Sequence, residues 1–144
     1  DAMLYLAGHI DSGVAQSHRL VQDFGGDDTT SMLFRFKSGA TGYLGTVIAT
    51  AETWRMQVFG SKGWLEMRSD TELIACGLEG APERIALPAI DREQATLEGF
   101  ADAVAARQPF VVPPEQAVNG IAVLEAIVAS AAKGKPVKIQ TSSL

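Results

Sequence analysis

Two adjacent pairs of side chains, His18-Arg19 and Trp54-Arg55, are of the types that can line a binding pocket. Arginine offers a planar fork of donors to hydroxyl or carboxylate oxygens, and an indole face lies well against the C–H surface of a sugar. Glu52, two residues before Trp54, adds an acceptor. His18, Arg19, Trp54 and Arg55 are the candidates for a pocket wall. Each also has a plainer reading: strand arginines are commonly solvated or ion-paired, and tryptophan commonly packs. The chain offers no catalytic constellation beside them. It contains no G-x-G-x-x-G, no lysine loop for phosphates, no H-E-x-x-H and no nucleophile elbow. His9 and His18 stand nine apart with no cysteine or carboxylate at ligand spacing, and Asp11 beside His9 reads as solvated, so no metal site is expected. Cys76, the single cysteine, cannot close an internal disulfide and reads as a small core residue.

The elements that must position these residues read as strands followed by helices. The run from Val14 to Phe24 predicts a strand between Gly13 and Gly25-Gly26. Ser31–Phe36 alternates, with Met32, Phe34 and Phe36 forming one packing row and Leu33 and Arg35 facing the other way. Gly39 supplies a tight turn into Thr41–Thr50, and Asp27-Asp28 predicts an Asx-type turn ahead of the hairpin. Further strands are expected at Trp54–Phe59, Trp64–Met67, Glu72–Cys76 and Arg84–Leu87. Turns this short require antiparallel neighbours. Tyr43 and Trp64 read as packing residues.

Leu97, Phe100, Ala101 and Val104 put one apolar stripe on a helix over about Arg92–Arg107. Pro113-Pro114 opens a second helix, ended by Gly134 and Pro136, with Ala117, Ile121, Leu124, Val128 and Ala131 along one side and an edge strand at Val137–Ile139 beyond it. The order implies one α+β domain over residues 1–144, an open, mainly antiparallel β-sheet with helices packed on one face. The other face carries Leu33 and Val47 or Ile48, too apolar for solvent, and is expected to meet a second copy of the chain or another domain.

Composition narrows the class. Apolar residues make up 47% and charged residues 20%, an ordinary globular balance that can bury a core without metal or disulfides. A net charge of −5 argues against nucleic acid or an anionic membrane as partner. No apolar run reaches the roughly 20 residues of a membrane span. A single thiol fits the cytoplasm.

The segments Gly26-Asp-Asp-Thr-Thr-Ser-Met-Leu-Phe-Arg-Phe-Lys-Ser-Gly-Ala-Thr-Gly-Tyr-Leu44, Val58-Phe-Gly-Ser-Lys-Gly-Trp-Leu-Glu66, Phe100, Pro113-Pro-Glu-Gln-Ala117, Glu125-Ala126 and Ser130-Ala-Ala-Lys-Gly-Lys-Pro-Val137 appear in an order that resembles the C-terminal domain of the glucose–fructose oxidoreductase/inositol dehydrogenase (Gfo/Idh/MocA) family. The resemblance implies a domain of the dihydrodipicolinate-reductase/glyceraldehyde-phosphate-dehydrogenase type. It also implies an N-terminal Rossmann partner holding NAD or NADP, and hydride transfer at a sugar, cyclitol or related hydroxyl. In that family a lysine of the nucleotide domain and a D-x-x-x-H-x-x-D-like segment commonly carry catalysis; Asp1 matches only the final Asp. Asp1-Ala-Met-Leu-Tyr-Leu-Ala-Gly8 reads as a helix tail, so the histidine and the Rossmann domain are expected to precede it. On this basis catalytic, cofactor-binding and metal residues are expected to be none, and the chain alone is expected to bind no cofactor and to be inactive. Homo-oligomerisation through the open sheet face and a polyol substrate are the expected partners, with His18, Arg19, Trp54 and Arg55 as the substrate-binding residues that this resemblance would imply. Two rivals stand beside this reading: a non-enzymatic self-association module, and a stand-alone α+β protein with a ligand cavity.

Overall fold

The computed structural model describes residues 2–23 and 25–140, so Asp1, the match to the family segment's final Asp, lies outside the described residues. The chain opens with helix α1 (Ala2–Ala7) and strands β1 (Ile10–His18), β2 (Thr29–Phe36) and β3 (Thr41–Val47). Then come β4 (Met56–Gly60), β5 (Gly63–Ser69), β6 (Glu72–Gly77) and β7 (Glu83–Ala86). Helices α2 (Arg92–Val104) and α3 (Pro114–Lys133) and a short β8 (Val137–Lys138) complete it. The antiparallel α+β class is as expected, with the strands shared between two four-stranded sheets. Two compact units hold them: Asp1–Thr50 with Pro109–Leu144, and Ala51–Gln108.

The first unit carries a sheet in the order β3-β2-β1-β8. Alternation in β2 decides its two faces. Met32, Phe34 and Phe36 are buried and join Leu4, Ile10, Ala15 and Val123 in one core, while Leu33 and Arg35 point the other way. Gly13 pairs with Phe34 across the strands, and a Cβ there would come within 2.9 Å of the Phe34 ring, so the ring lies where only glycine leaves room.

Strand β1 runs over Ile10–His18, earlier than the predicted Val14–Phe24. Its first half, Ile-Asp-Ser-Gly, has weak strand propensity, but β2 on one edge and β8 on the other recruit it, and Leu20 and Val21 fall instead in the following loop.

Helix α3 packs on the inner face of this sheet by the side opposite to the one its apolar pattern suggests. Ile121, Leu124 and Val128 are 59–70% exposed and Ala117 is exposed too, whereas Asn119, Val123, Ala126 and Ser130 are buried. Of the expected stripe, Ala131 packs in part against the core. The polar members explain the choice. Ser130 Oγ accepts the Ala15 N–H at 2.9 Å and donates to the Lys135 carbonyl at 2.7 Å; Asn119 Oδ1 accepts the Ile10 N–H at 3.4 Å. They satisfy backbone of β1 that a hydrocarbon face would leave unpaired. Gly134, at φ 62, closes the helix by donating its N–H to the Ser130 carbonyl. Ser130→Ala is expected to cost roughly 1–3 kcal/mol, since the buried Ala15 N–H loses its acceptor and the Lys135 carbonyl its donor while little volume is lost; urea denaturation of this variant beside the exposed control Ser38→Ala measures it.

The second unit is a meander, β4-β5-β6-β7. Met56, Met67, Leu73 and Ile85 form one half-buried row across it, and Gln57, Glu66, Ile74 and Arg84 form a row on the other face. Helix α2 starts where Asp91 Oδ1 accepts the Gln94 N–H at 2.9 Å, a side-chain N-cap. Its predicted stripe does not become core: Leu97, Phe100 and Val104 are exposed and the helix buries no residue.

Candidate functional site

His18 is the last residue of β1 and opposes Thr29, which opposes Val47 on β3. Cross-strand partners share a face, so His18 belongs to the outer face of the first sheet, away from α3. The same face carries Val14, Leu33 and Tyr43 in one row and Gln16, Ser31 and Gly45 in the next. Leu33, Tyr43 and Val47 are 51–63% exposed, so Tyr43 is not the packing residue its type suggested. Arg19 follows His18 at the start of the β1–β2 loop, also exposed.

Trp54 and Arg55 lie in the second unit, in the segment leading into β4. Both are exposed, Trp54 at 54%. Arg55 takes part in the electrostatics of Glu66, a carboxylate 5% exposed on β5. Glu66 is held below the usual carboxylate range first by the hydrogen bond from Arg68 at 3.2 Å, against the opposing effect of burial; the positive charge of Arg68, a hydrogen bond from Gln57 and the charge of Arg55 add to it. The sequence reading missed this carboxylate, although Glu66 stands beside Leu65 in a pattern that would have marked it as facing the Gln57 row.

Asp28, also missed as a functional candidate, is a densely hydrogen-bonded polar side chain among the described residues. It is 1% exposed. Its Oδ2 accepts the N–H groups of Val21 and Gln22, each at 2.8 Å, and the Leu20 N–H reaches both carboxylate oxygens at 3.1 Å. The Thr29 hydroxyl donates to Oδ1 at 2.9 Å. The predicted Asx-type turn would use backbone just after the aspartate, whereas these amides lie six to eight residues before it.

Hydrogen bonds from Gln22 and Val21 hold the Asp28 carboxyl far below its ordinary value, with burial opposing them and Leu20 and Thr29 assisting. A carboxyl lowered in the folded state contributes stability that is complete above its unfolded pKa and is lost as pH falls toward the folded value. Stability is therefore expected to decline below about pH 4, with a shallower decline in Asp28→Asn; chemical denaturation at stepped pH reads the two slopes.

Among the described residues no group of three or more His, Cys, Asp or Glu side chains is placed to hold a metal ion, and no helix is long and apolar enough to cross a membrane. The space between α3 and the sheet, lined by Gly13, Phe34, Val123, Ala126 and Ser130 among others, is packed core and leaves no room even for water.

Comparison with known proteins fits this geometry. The sequence profile of the GFO/IDH/MocA C-terminal domain matches residues 1–66. No curated protein sequence matches the chain. The fold is similar to that of an aldose-aldose oxidoreductase from Caulobacter crescentus solved with glycerol, at 25% identity and a TM-score of 0.81, over 95% of this chain and 44% of that one. An oxidoreductase from Thermotoga maritima is similar at 27% identity and a TM-score of 0.79, over 96% of this chain and 40% of its own. An oxidoreductase from Agrobacterium radiobacter solved with NAD+, L-tartaric acid and magnesium shares the fold at 18% identity and a TM-score of 0.79, over 95% of this chain and 45% of that one. The chain thus spans less than half the length of these solved proteins.

Proposed function

We propose, from the premise that this chain is a Gfo/Idh/MocA C-terminal domain, matched in sequence over residues 1–66 and in fold over nearly its whole length, that it supplies the substrate wall and a self-association face of an NAD(P)-dependent oxidoreductase. The substrate class is a sugar, cyclitol or related hydroxyl compound. One observation carries the reading: the fold follows an aldose-aldose oxidoreductase over 95% of this chain at 25% identity, and that protein was solved with glycerol, a polyol. The nicotinamide, held by a nucleotide-binding domain beyond this chain's share of its relatives, takes the hydride. Each unit brings its own candidates, His18 and Arg19 on the first and Trp54 and Arg55 on the second, as hydroxyl-binding forks and flat apolar faces of the kind polyol sites use. The chain by itself holds no dinucleotide and is inactive in the cytoplasm or elsewhere.

Titration calorimetry of the 144-residue chain with NAD+, NADH, NADP+ and NADPH tests the division of labour. No heat is expected, and a micromolar affinity would overturn it. Self-association rests on the outer sheet face, where Leu33, Tyr43 and Val47 stay exposed on a rigid ladder. Sedimentation at micromolar concentration is expected to show a species larger than the monomer, returned to monomer by Leu33→Arg. Wild-type monomer alone would remove this face from the proposal.

A further inference from the structure

Asp28 makes its bonds on both sides of one dipeptide. Its main-chain N–H donates to the His18 carbonyl at 3.1 Å, and its carboxylate takes the Leu20 N–H at 3.1 Å. His18-Arg19 is bracketed between those two attachments. The carboxylate then takes Val21 and Gln22 as well, while the Asp28 carbonyl accepts the Ile48 N–H at 2.9 Å beyond the end of β3. Three successive backbone N–H groups turned toward one point form a concavity that attracts an anion, and here the protein's own side chain fills it. Burying a carboxylate is costly unless charge-assisted hydrogen bonds satisfy it, and four groups do so here: three amides and the Thr29 hydroxyl.

The outcome of that arrangement is local order without local burial. Leu20 and Val21, whose amides are clamped, stay 69% and 74% exposed, so their side chains contribute little to any core. Gly25 and Gly26 in the same loop could reverse the chain without an ion. What the ion adds is a fixed backbone direction from residue 18 to residue 22, at the rim of the outer sheet face.

We infer that Asp28 is a positioning residue for substrate, setting the direction in which His18 and Arg19 meet the polyol through bonds to the backbone on either side of them. This rests on the proposed role of those two residues as part of the substrate wall. Asp28 touches no substrate itself. The Asn side chain has the same shape but turns an NH2 toward amide donors, so it cannot hold all three amides.

The test is steady-state kinetics of the full-length protein with NAD+ or NADP+ and, as probes, glycerol, D-glucose and myo-inositol. With Asp28→Asn, KM for a probe that the wild type turns over is expected to rise about tenfold or more, while kcat stays within about threefold. A merely structural role would instead lower Tm and the amount of active protein and leave KM alone. A folded Asp28→Asn with unchanged KM overturns the inference and leaves the proposed function standing. Should Asp28→Asn fail to fold, Thr29→Val, which removes only the hydroxyl contact to Oδ1, takes its place. A KM rise of about two- to threefold is then expected, and an unchanged KM overturns the inference. Wild-type protein that turns over none of the probes with either nucleotide sinks the proposed function and this inference together.

Discussion

Phe34→Ala is expected to lower the stability of the first unit by roughly 3–5 kcal/mol, the usual cost of removing a buried aromatic ring from a core that cannot collapse into the space. The ring is 5% exposed and shares its cluster with Met32, Phe36, Ile10 and Val123. Relaxation is blocked on one side by the backbone at Gly13, against which the ring already lies, and on another by α3, fixed by Ser130 and Asn119. One residue away on the same strand, Leu33 is 58% exposed. Leu33→Ala is therefore expected to change stability by less than about 1 kcal/mol. Urea denaturation followed by circular dichroism checks both, and equal losses at the two positions would show that the two faces of β2 are not different.

Gly63→Ala is the second large effect, expected to destabilise the second unit by roughly 2–5 kcal/mol from backbone strain and steric overlap together. Gly63 begins β5 with φ 137, a conformation that side chains rarely adopt. An added Cβ would also fall inside the backbone carbonyl of Cys76 on the adjoining strand, where nothing flexible can yield. Gly39 separates the two causes. Its φ is 90, but a Cβ there meets nothing within 4 Å, so Gly39→Ala is expected to carry the conformational cost alone, about 1–2 kcal/mol. Hydrogen exchange should place the loss of protection in Gly63→Ala within residues 56–86; protection lost equally in β1 and β2 would refute that localisation.

The hairpin from Thr29 to Val47 was legible because three signals coincide there: alternation in β2, the turn glycine Gly39 and a second alternating run. The exposed face of that hairpin was legible for the same reason. β1 was not, because its register comes from partners distant in sequence, and the more strand-like Leu20 and Val21 lie in a loop. α3 was found, but its face was assigned wrongly. Counting apolar residues favours the Ile121–Leu124–Val128 side, while the buried side includes Asn119 and Ser130, whose value lies in bonds to β1 that no periodicity displays. The candidate site was read by residue type, which selects His18, Arg19, Trp54 and Arg55. Asp28 escaped because its significance lies in main-chain amides six to eight residues away, and a sequence shows an aspartate there only as a turn former.

The first unit is built from two stretches of chain, with residues 51–108 between them. Ser130 must find Ala15 across 115 positions, whereas the meander pairs β4 with β5, β5 with β6 and β6 with β7, neighbours in sequence throughout. During synthesis from the ribosome the meander can assemble as soon as it emerges, by short-range closure. Until α3 has been translated, Met32, Phe34 and Phe36 have only α1 and β1 against them. A nascent chain paused before residue 114 would present that greasy row to chaperones, and a codon-level delay in the α3 coding region would lengthen the exposure.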